Sequence, residues 1–291
     1  MLQVARLSPK LLRDAHGLIA DFTRSQINSD GDFKNRQGKS DLYYTVFGLE
    51  SLLALQTEIP SAGIAKYLQT FGDGESLDFI HLCCLARSWA NLSSTKLEPK
   101  SFQVILNRIE TYRSLDGGYH SGIQRSRVGT VYGGFLALGA YQDLGAQLPN
   151  IEGLIHSLQP LKAQDGAYAN EPGLAMGTTP ATAAAITLLR NLHQPVDPQL
   201  DEWLMARCKP EGGFVATPVV QVPDLLSTAT ALHALAGMQI SFEKLVEPCL
   251  DFVDTLWTNK GGFYGHWADD ILDCEYTYYG LLSLGHLSLY S

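Results

Sequence analysis

The sequence predicts an all-α protein in which six helical hairpins form a closed ring, with inner helices wrapped by outer ones. Three observations predict this fold: a recurring turn motif, two kinds of helical segment that alternate around it, and the near absence of strand patterns. A chain of 291 residues with 45% hydrophobic and 18% charged residues has a globular composition. It can bury a sizeable core, and we expect one domain over residues 1–291.

The recurring motif is a glycine-containing turn that ends on an aromatic residue. It reads DGDF, DGGY, DGAY, EGGF and KGGF at residues 30–33, 116–119, 165–168, 211–214 and 260–263, with a weaker copy at 72–75. The last four aromatic positions are separated by 49, 46 and 49 residues, and the first two by 86, which is two units. Such a period is typical of stacked supersecondary units.

Each turn lies between two predicted helices, an amphipathic one before it and an apolar one after it. In chain order the pairs are 9–27 and 41–55, 60–71 and 78–91, 98–114 and 128–141, 150–163 and 180–192, 197–208 and 224–237, and 242–257 and 274–287. The first member of each pair has one polar face, which suits an outer helix in contact with water. The second is rich in alanine, glycine and threonine, and such a helix favours neighbours on all sides.

Charge and cysteine content exclude some classes of function. The net charge of -9 argues against a nucleic-acid groove or a strongly anionic membrane surface, which both require clustered lysine and arginine. Five cysteines without CxxC spacing favour reduced thiols, so we expect a cytoplasmic protein. No apolar run is long enough to cross a bilayer, although peripheral contact with a lipid substrate remains compatible with the sequence.

Acidic residues recur at the predicted starts of inner helices. Asp41, Asp78, Asp224 and Asp273 occupy these positions, and Glu275 follows in the first turn of the last inner helix. One interpretation is N-capping of exposed backbone N–H groups. The other is acid chemistry, because two neighbouring carboxyl groups keep one of the pair protonated. Asp269 and Asp270, in the preceding loop, are expected to be solvated charges.

Three stretches carry a resemblance to a known superfamily: QDGAYANEPGLAMGTTPATAAAITLL, KPEGGFVATPVVQVPDLLSTATALHAL and NKGGFYGHWADDILDCEYTYYGLLSLGHL. From about residue 10 to its end, the chain resembles the α/α toroids of protein prenyltransferase β subunits, especially the geranylgeranyltransferase type. It also resembles the related barrel domains of squalene-hopene and other class II terpene cyclases, although the backbone resemblance to the prenyltransferases is the closer one. Full class II cyclases carry a second domain, which we do not expect in residues 1–291. Both resemblances imply an α/α toroid.

The prenyltransferase resemblance implies a zinc site formed by an Asp-x-Cys pair and a histidine. Asp224 matches the aspartate, but Leu226 stands at the cysteine position and Tyr276 at the histidine position. Residues expected to grip a diphosphate are also replaced, although Arg125 and Arg127 remain as possible anion contacts. We therefore expect no metal and no cofactor. An α-subunit partner is expected only if this alternative holds.

The cyclase resemblance implies an Asp-x-Asp-Asp-Thr motif whose central acid protonates a double bond or an epoxide. The stretch 273–277 reproduces it in part, with Glu275 as the proton donor and Asp273 as its electrostatic partner. Asp224 and Asp78 lie at comparable helix starts. Carbocations require a dry pocket with aromatic faces. The candidate lining on inner helices is Tyr43, Tyr44, Phe47, Tyr132, Phe135, Tyr276, Tyr278 and Tyr279.

The first functional hypothesis is a metal-independent terpene cyclase, an isomerase or lyase of isoprenoid biosynthesis that acts on a polyprenyl small molecule. The alternatives are a prenyltransferase β-subunit-like protein with a degenerate zinc site, and a non-catalytic isoprenoid-binding toroid. No nucleic-acid partner is expected.

Overall fold

The computed structural model describes residues 1–12, 14–92 and 99–290, and within these ranges the regular structure is helical, with no strand. The helices are α1 (Leu2–Ala5), α2 (Pro9–Leu12), α3 (Ala15–Ser25), α4 (Leu42–Ala54), α5 (Ser61–Gln69), α6 (Phe79–Asn91), α7 (Pro99–Glu110), α8 (Val131–Asp143), α9 (Ile151–Ser157), α10 (Thr179–Asn191), α11 (Gln199–Met205), α12 (Leu225–Gly237), α13 (Val246–Leu256) and α14 (Cys274–Leu287). Short 3-10 segments occur at Gln159–Leu161 and Glu243–Leu245.

The chain divides into two compact units. The first contains Met1–Ile59 and the chain from Asp197 onward, and the second contains Pro60–Val196. In the first unit α14 packs between α4 and α12, while α3, α13 and α11 pack against α4, α14 and α12 respectively. In the second unit α8 packs between α6 and α10, with α5 against α6 and α7 against both α6 and α8. Each unit thus pairs a helix before a turn with a helix after it.

Burial follows the predicted division into two kinds of helix. In α12, which follows a turn, residues on almost every face are buried, including small ones such as Ser227, Ala229 and Ala231. In α13, which precedes a turn, burial is confined to one stripe formed by Cys249, Phe252, Val253 and Leu256. Small side chains therefore allow the helices that follow turns to pack closely with several neighbours.

The turns anchor the helices through their aromatic residues. An isolated backbone bridge closes each of the five strong turns, and Phe214 and Phe263 are essentially fully buried. The backbone N–H of Phe214 donates to the Thr228 hydroxyl at 2.9 Å, and that of Phe263 donates to the Thr277 hydroxyl at 3.4 Å. A buried donor at the turn is thus satisfied by the helix that follows it.

Glycine is required where a turn aromatic lies flat against the following helix. A Cβ atom added at Gly48 of α4 would lie 2.2 Å from the ring of Phe33, and one at Gly280 of α14 would lie 2.9 Å from the ring of Phe263. The close packing of these turn aromatics against the following helices therefore depends on the two glycines.

The structure shortens several predicted helices. The predicted 9–27 segment contains two helices, α2 and α3, with Asp14 in a turn before the second. Residue 13 and the predicted helix start at 98 lie outside the described residues. The predicted segment 150–163 ends its α-helix at Ser157, before Pro160, whose ring and missing N–H are poorly compatible with a helix interior. Among the described residues, no helix has the length and apolarity that crossing a membrane requires.

Candidate active site

The helix α14 begins at a buried aspartate. Asp273 is its N-cap, and its Oδ1 atom accepts a hydrogen bond from the backbone N–H of Tyr276 at 2.8 Å. The hydroxyl of Thr277 donates to the Asp273 carbonyl oxygen at 2.6 Å. The Asp273 side chain is only 3% exposed. Capping therefore fixes the first turn of the helix, and with it the direction of Glu275.

Glu275 is half-buried in this first turn and is bonded to the neighbouring helix. The hydroxyl of Tyr43 in α4 donates to Glu275 Oε1 at 2.6 Å. Burial raises the pKa of Glu275 to about 7, and the charge of Asp273 adds to the increase, while Tyr43 and Arg36 oppose it. The carboxyl group is therefore close to half protonated at neutral pH, which suits a group that donates a proton and is then reprotonated.

Arg36 connects the loop 34–40 to the start of α14. Its Nε atom donates to Asp273 Oδ2 at 2.6 Å. Its Nη1 and Nη2 atoms donate to the two carboxylate oxygens of Asp269 at 3.1 and 2.8 Å. The guanidinium carbon also lies 5.1 Å from the centre of the Tyr276 ring. Arg36 thus binds the Asp269 carboxylate through its two terminal nitrogens and the Asp273 carboxylate through Nε.

These contacts change the acidity of all three partners. Burial alone would lower the pKa of Arg36, but its hydrogen bonds and the charges of both aspartates raise it. Burial opposes the ionisation of Asp269, yet the hydrogen bonds from Arg36 and from the Gly265 N–H lower its pKa. Burial raises the pKa of Asp273, although the hydrogen bond from the Tyr276 N–H and the charge of Arg36 act to lower it. Arg36 therefore favours the ionised form of both aspartates.

Five of the predicted aromatic residues surround this site in the first unit. The ring centres are 5.6 Å apart for Tyr43 and Tyr44, 5.0 Å for Tyr43 and Phe47, 5.5 Å for Phe47 and Tyr279, and 6.4 Å for Tyr276 and Tyr279. Burial and the neighbouring carboxylates raise the pKa of Tyr44 and of Tyr276 to about 12. Both hydroxyls are therefore neutral at physiological pH.

The sixth aromatic residue of α4 and α14, Tyr278, belongs to the packed core. Its ring is 2% exposed and lies 5.8 Å from Phe47 and 6.1 Å from Tyr279, measured between ring centres. It contacts the aromatic cluster through Phe47 and Tyr279.

The other three aspartates also cap helices. Asp41 accepts from the Tyr43 N–H at the start of α4, and Asp78 from the His81 N–H at the start of α6. Asp224 caps α12 with one oxygen on the Ser227 N–H and the other on the Ser227 hydroxyl, both at 2.7 Å, and burial raises its pKa. The Asp78 side chain is 58% exposed. We assign Asp78 and Asp224 to capping and propose no catalytic role for them.

The second unit holds the remaining predicted residues. Tyr132 and Phe135 are half-buried on α8, and Arg125 and Arg127 are exposed in the loop that precedes it. Arg125 lines a polar groove of about 590 Å³ beside the C-terminal end of α7.

The residues at the zinc-ligand positions do not fit a zinc ion. Both carboxylate oxygens of Asp224 are engaged by Ser227, Leu226 has no donor atom, and Tyr276 offers a neutral phenol. Within residues 1–12, 14–92 and 99–290, no group of three or more His, Cys, Asp or Glu side chains is arranged to hold a metal ion.

Repeated helical hairpins joined by glycine-aromatic turns define an α/α toroid protein. The chain belongs to the prenyltransferase alpha-alpha toroid domain family, whose sequence pattern matches residues 73–180 and 180–289. The predicted fold class and the predicted superfamily are thereby confirmed.

Solved structures share this fold at low sequence identity. A variant of the type II terpene cyclase MstE from Scytonema, in complex with its substrate geranylgeranyl dihydroxybenzoate, is 13% identical, with a TM-score of 0.65 over 97% of this chain and 98% of that chain. Candida albicans protein geranylgeranyltransferase-I complexed with GGPP is 17% identical, with a TM-score of 0.55 over 99% and 82%. An unsaturated glucuronyl hydrolase specific for heparin is 11% identical, with a TM-score of 0.57 over 99% and 97%. No curated protein matches the sequence.

These structures act on different kinds of substrate, so the likeness establishes the fold and leaves the reaction to be argued from the site. Two residues of this site, Arg36 and Asp269, are not predicted from the sequence. Arg36 lies 237 residues before Asp273 and belongs to no motif. The expectation that Asp269 is a solvated charge is wrong, because its side chain is 6% exposed and paired with Arg36.

Proposed function

We propose that this protein is an isoprenoid-processing enzyme, a metal-independent terpene cyclase of the class II type. Glu275 is the proton donor, and Asp273 is its electrostatic partner. The observation that carries the proposal is a carboxyl group with a pKa of about 7, held by a tyrosine hydroxyl and bordered by aromatic rings. An acid of this kind is still substantially protonated at neutral pH.

In the first step the Glu275 proton is transferred to one carbon of a substrate double bond. A C–H bond forms from the π electrons, the O–H bond breaks, and a carbocation is left on the adjacent carbon with a carboxylate on Glu275. The Tyr43 hydroxyl, 2.6 Å from Oε1, strengthens its hydrogen bond as this negative charge develops. For an epoxide substrate the same proton goes to the ring oxygen.

The carbocation then needs stabilisation without water. The faces of Tyr43, Phe47, Tyr276 and Tyr279 provide π electrons, and each cation–π contact contributes about 0.5–2 kcal/mol. A further double bond of the polyprenyl chain attacks the cation, which closes a ring and moves the positive charge along the chain. Loss of a proton from a carbon ends the sequence and restores a double bond.

The site favours cyclisation over protein prenyl transfer. Prenyl transfer to a thiol relies on zinc to generate the thiolate, and the ligand positions here do not fit zinc. The acid of Glu275, in contrast, requires no metal. The similarity to MstE supports the proposal, because that enzyme is a type II terpene cyclase whose chain is covered to 98% by this one.

The direct test is incubation of the purified protein with geranylgeranyl diphosphate, squalene and geranylgeranyl-substituted aromatic acids, with products analysed by gas chromatography and mass spectrometry. We expect a cyclised product from at least one substrate, and a loss of on the order of 10² to 10⁴ in rate for Glu275→Gln. Glu171→Gln, at an exposed loop position, is the matched control and is expected to keep wild-type activity.

Two outcomes would overturn the proposal: no cyclised product from any of these substrates, or full activity of Glu275→Gln. Binding of polyprenyl chains without turnover would instead favour an isoprenoid-binding toroid. One equivalent of zinc per chain, or copurification with a helical partner subunit, would favour the prenyltransferase alternative.

A further inference from the structure

Two neighbouring carboxyl groups at the start of α14 have unequal surroundings. The Asp273 carboxylate receives a donor on each oxygen, the Tyr276 N–H on Oδ1 and Arg36 Nε on Oδ2. Glu275, two residues later, has a neutral donor, the Tyr43 hydroxyl, on Oε1. A guanidinium bound to one acid and not to the other is the feature that separates them.

Arg36 itself is held in a fixed direction. Its two terminal nitrogens donate hydrogen bonds to the carboxylate of Asp269, whose side chain is 6% exposed. Asp269 also accepts a hydrogen bond from the Gly265 N–H at 3.0 Å. The Arg36 side chain is 31% exposed and lies over the Tyr276 ring. The second carboxylate therefore serves to orient the arginine so that Nε points at Asp273.

We propose that Arg36 is a positioning residue that makes the two carboxyl groups unequal, holding Asp273 as the ionised partner and leaving the exchangeable proton on Glu275. Asp269 holds Arg36 in the orientation that this requires. The inference rests on the proposed function only for its catalytic meaning, since the distribution of protons between Asp273 and Glu275 is measurable without turnover.

Several groups act on the same proton. The titratable and charged groups around Glu275 are Tyr43 and Tyr44 from α4, Asp273 and Tyr276 from α14, and Arg36 from the loop 34–40, with Asp224 of α12 acting on Tyr276. Tyr44 and Tyr276 keep their protons across the relevant range, since the pKa of each is raised to about 12. Arg36 is therefore the group in this set whose charge opposes that of the aspartates.

The experiment is a titration of side-chain carboxyl carbons by NMR, with ¹³C-labelled aspartate and glutamate in the full chain, assigned with Asp273→Asn and Glu275→Gln. Arg36→Gln is expected to move the titration midpoint of Asp273 upward by about one pH unit or more, because a buried carboxylate loses its cation. The midpoint of Glu275 is expected to rise as well, since the charge of Asp273 is no longer balanced. In the Asp273→Asn background, Arg36→Gln is still expected to raise the Glu275 midpoint, but by less than it raises the Asp273 midpoint in the wild-type background, because only the charge of Arg36 acts directly on Glu275.

Further variants separate this role from simple structural support. Arg36→Lys keeps the charge and is expected to restore most of the wild-type midpoints. Asp269→Asn removes the carboxylate that orients Arg36 and is expected to move the Asp273 midpoint upward, in the same direction as Arg36→Gln but less far, because the charge and hydrogen bond of Arg36 act on Asp273 more strongly than the charge of Asp269 does. Arg190→Gln, at an exposed helix position, is the control and is expected to change neither midpoint.

An unchanged Asp273 midpoint in Arg36→Gln would overturn the inference, as would a Glu275 midpoint that rises as far as that of Asp273. If Arg36→Gln fails to fold, the upward shift expected for Asp269→Asn and the near-wild-type midpoints expected for Arg36→Lys still decide the question. Full cyclase activity in Glu275→Gln, together with the expected midpoints, would refute the proposed function and leave the role of Arg36 intact.

Discussion

The raised pKa of Glu275 predicts that this residue makes the folded protein less stable as the pH rises. In the folded state the pKa is about 7, against an ordinary value of 4.5. A carboxyl group whose pKa is raised by folding stabilises the folded state most at low pH, and this contribution is lost as the pH rises through the folded-state value. With 1.36 kcal/mol for each pH unit between the two values, the loss is about 3 kcal/mol by pH 8.

The substitution that isolates this effect is Glu275→Gln. Glutamine has nearly the same shape, can still accept the Tyr43 hydrogen bond, and carries no charge at any pH. Between pH 5 and pH 8 the wild-type free energy of unfolding is therefore expected to fall by about 2–3 kcal/mol more than that of the variant. At pH 8 the variant is expected to be the more stable protein, with a melting temperature higher by roughly 5 °C.

The assay is urea unfolding at four pH values from 5 to 8, followed by circular dichroism. Glu171→Gln serves as the control, and its pH dependence is expected to run parallel to that of the wild type because its side chain is exposed. Parallel curves for wild type and Glu275→Gln would refute the reasoning, because they would mean that Glu275 has the same pKa folded and unfolded.

Three further predictions concern the site, the packing and the metal. Tyr43→Phe removes the donor to Glu275, so the pKa of Glu275 is expected to rise above about 7 and the alkaline limb of the pH–rate profile to move to higher pH. The value of kcat is expected to fall about tenfold, because Glu275 becomes a weaker acid. An unchanged pH–rate profile would show that this hydrogen bond is not formed in the enzyme. Gly48→Ala places a Cβ atom 2.2 Å from the Phe33 ring and is expected to destabilise the protein by about 1–3 kcal/mol in urea unfolding. Gly17→Ala, in open space on α3, is the matched control and is expected to be neutral or slightly stabilising, and equal behaviour of the two would contradict the packing. Dialysis against EDTA is expected to leave product formation unchanged, and a loss that zinc restores would contradict a metal-independent acid.

The fold can be predicted from the sequence because the same packing requirement recurs in each repeat. Each glycine-aromatic turn needs a glycine or a small residue on the following helix, as at Gly48 and Gly280, and each apolar helix needs close neighbours. Such local requirements are visible within about 50 residues of chain. The prediction of one domain over residues 1–291 stays a prediction.

Only part of the candidate site can be predicted from the sequence. Asp273 and Glu275 follow from a helix start and a motif, but the choice between cap and acid depends on burial and partners, which a sequence does not contain. Asp273 is in fact a cap as well as a neighbour of Glu275, and Asp78 is an exposed cap. Arg36 and Asp269 depend on a contact across more than 230 residues, for which no local pattern exists.

The central claim is that Glu275 transfers a proton to the substrate. Its most direct test is the reaction carried out in D₂O with a polyprenyl substrate, followed by mass spectrometry of the product. The proposal predicts one deuterium at the carbon that is protonated, with labelled product from Glu275→Gln formed about 10² to 10⁴ times more slowly. A product without deuterium, or labelled product formed by Glu275→Gln at the wild-type rate, would contradict it.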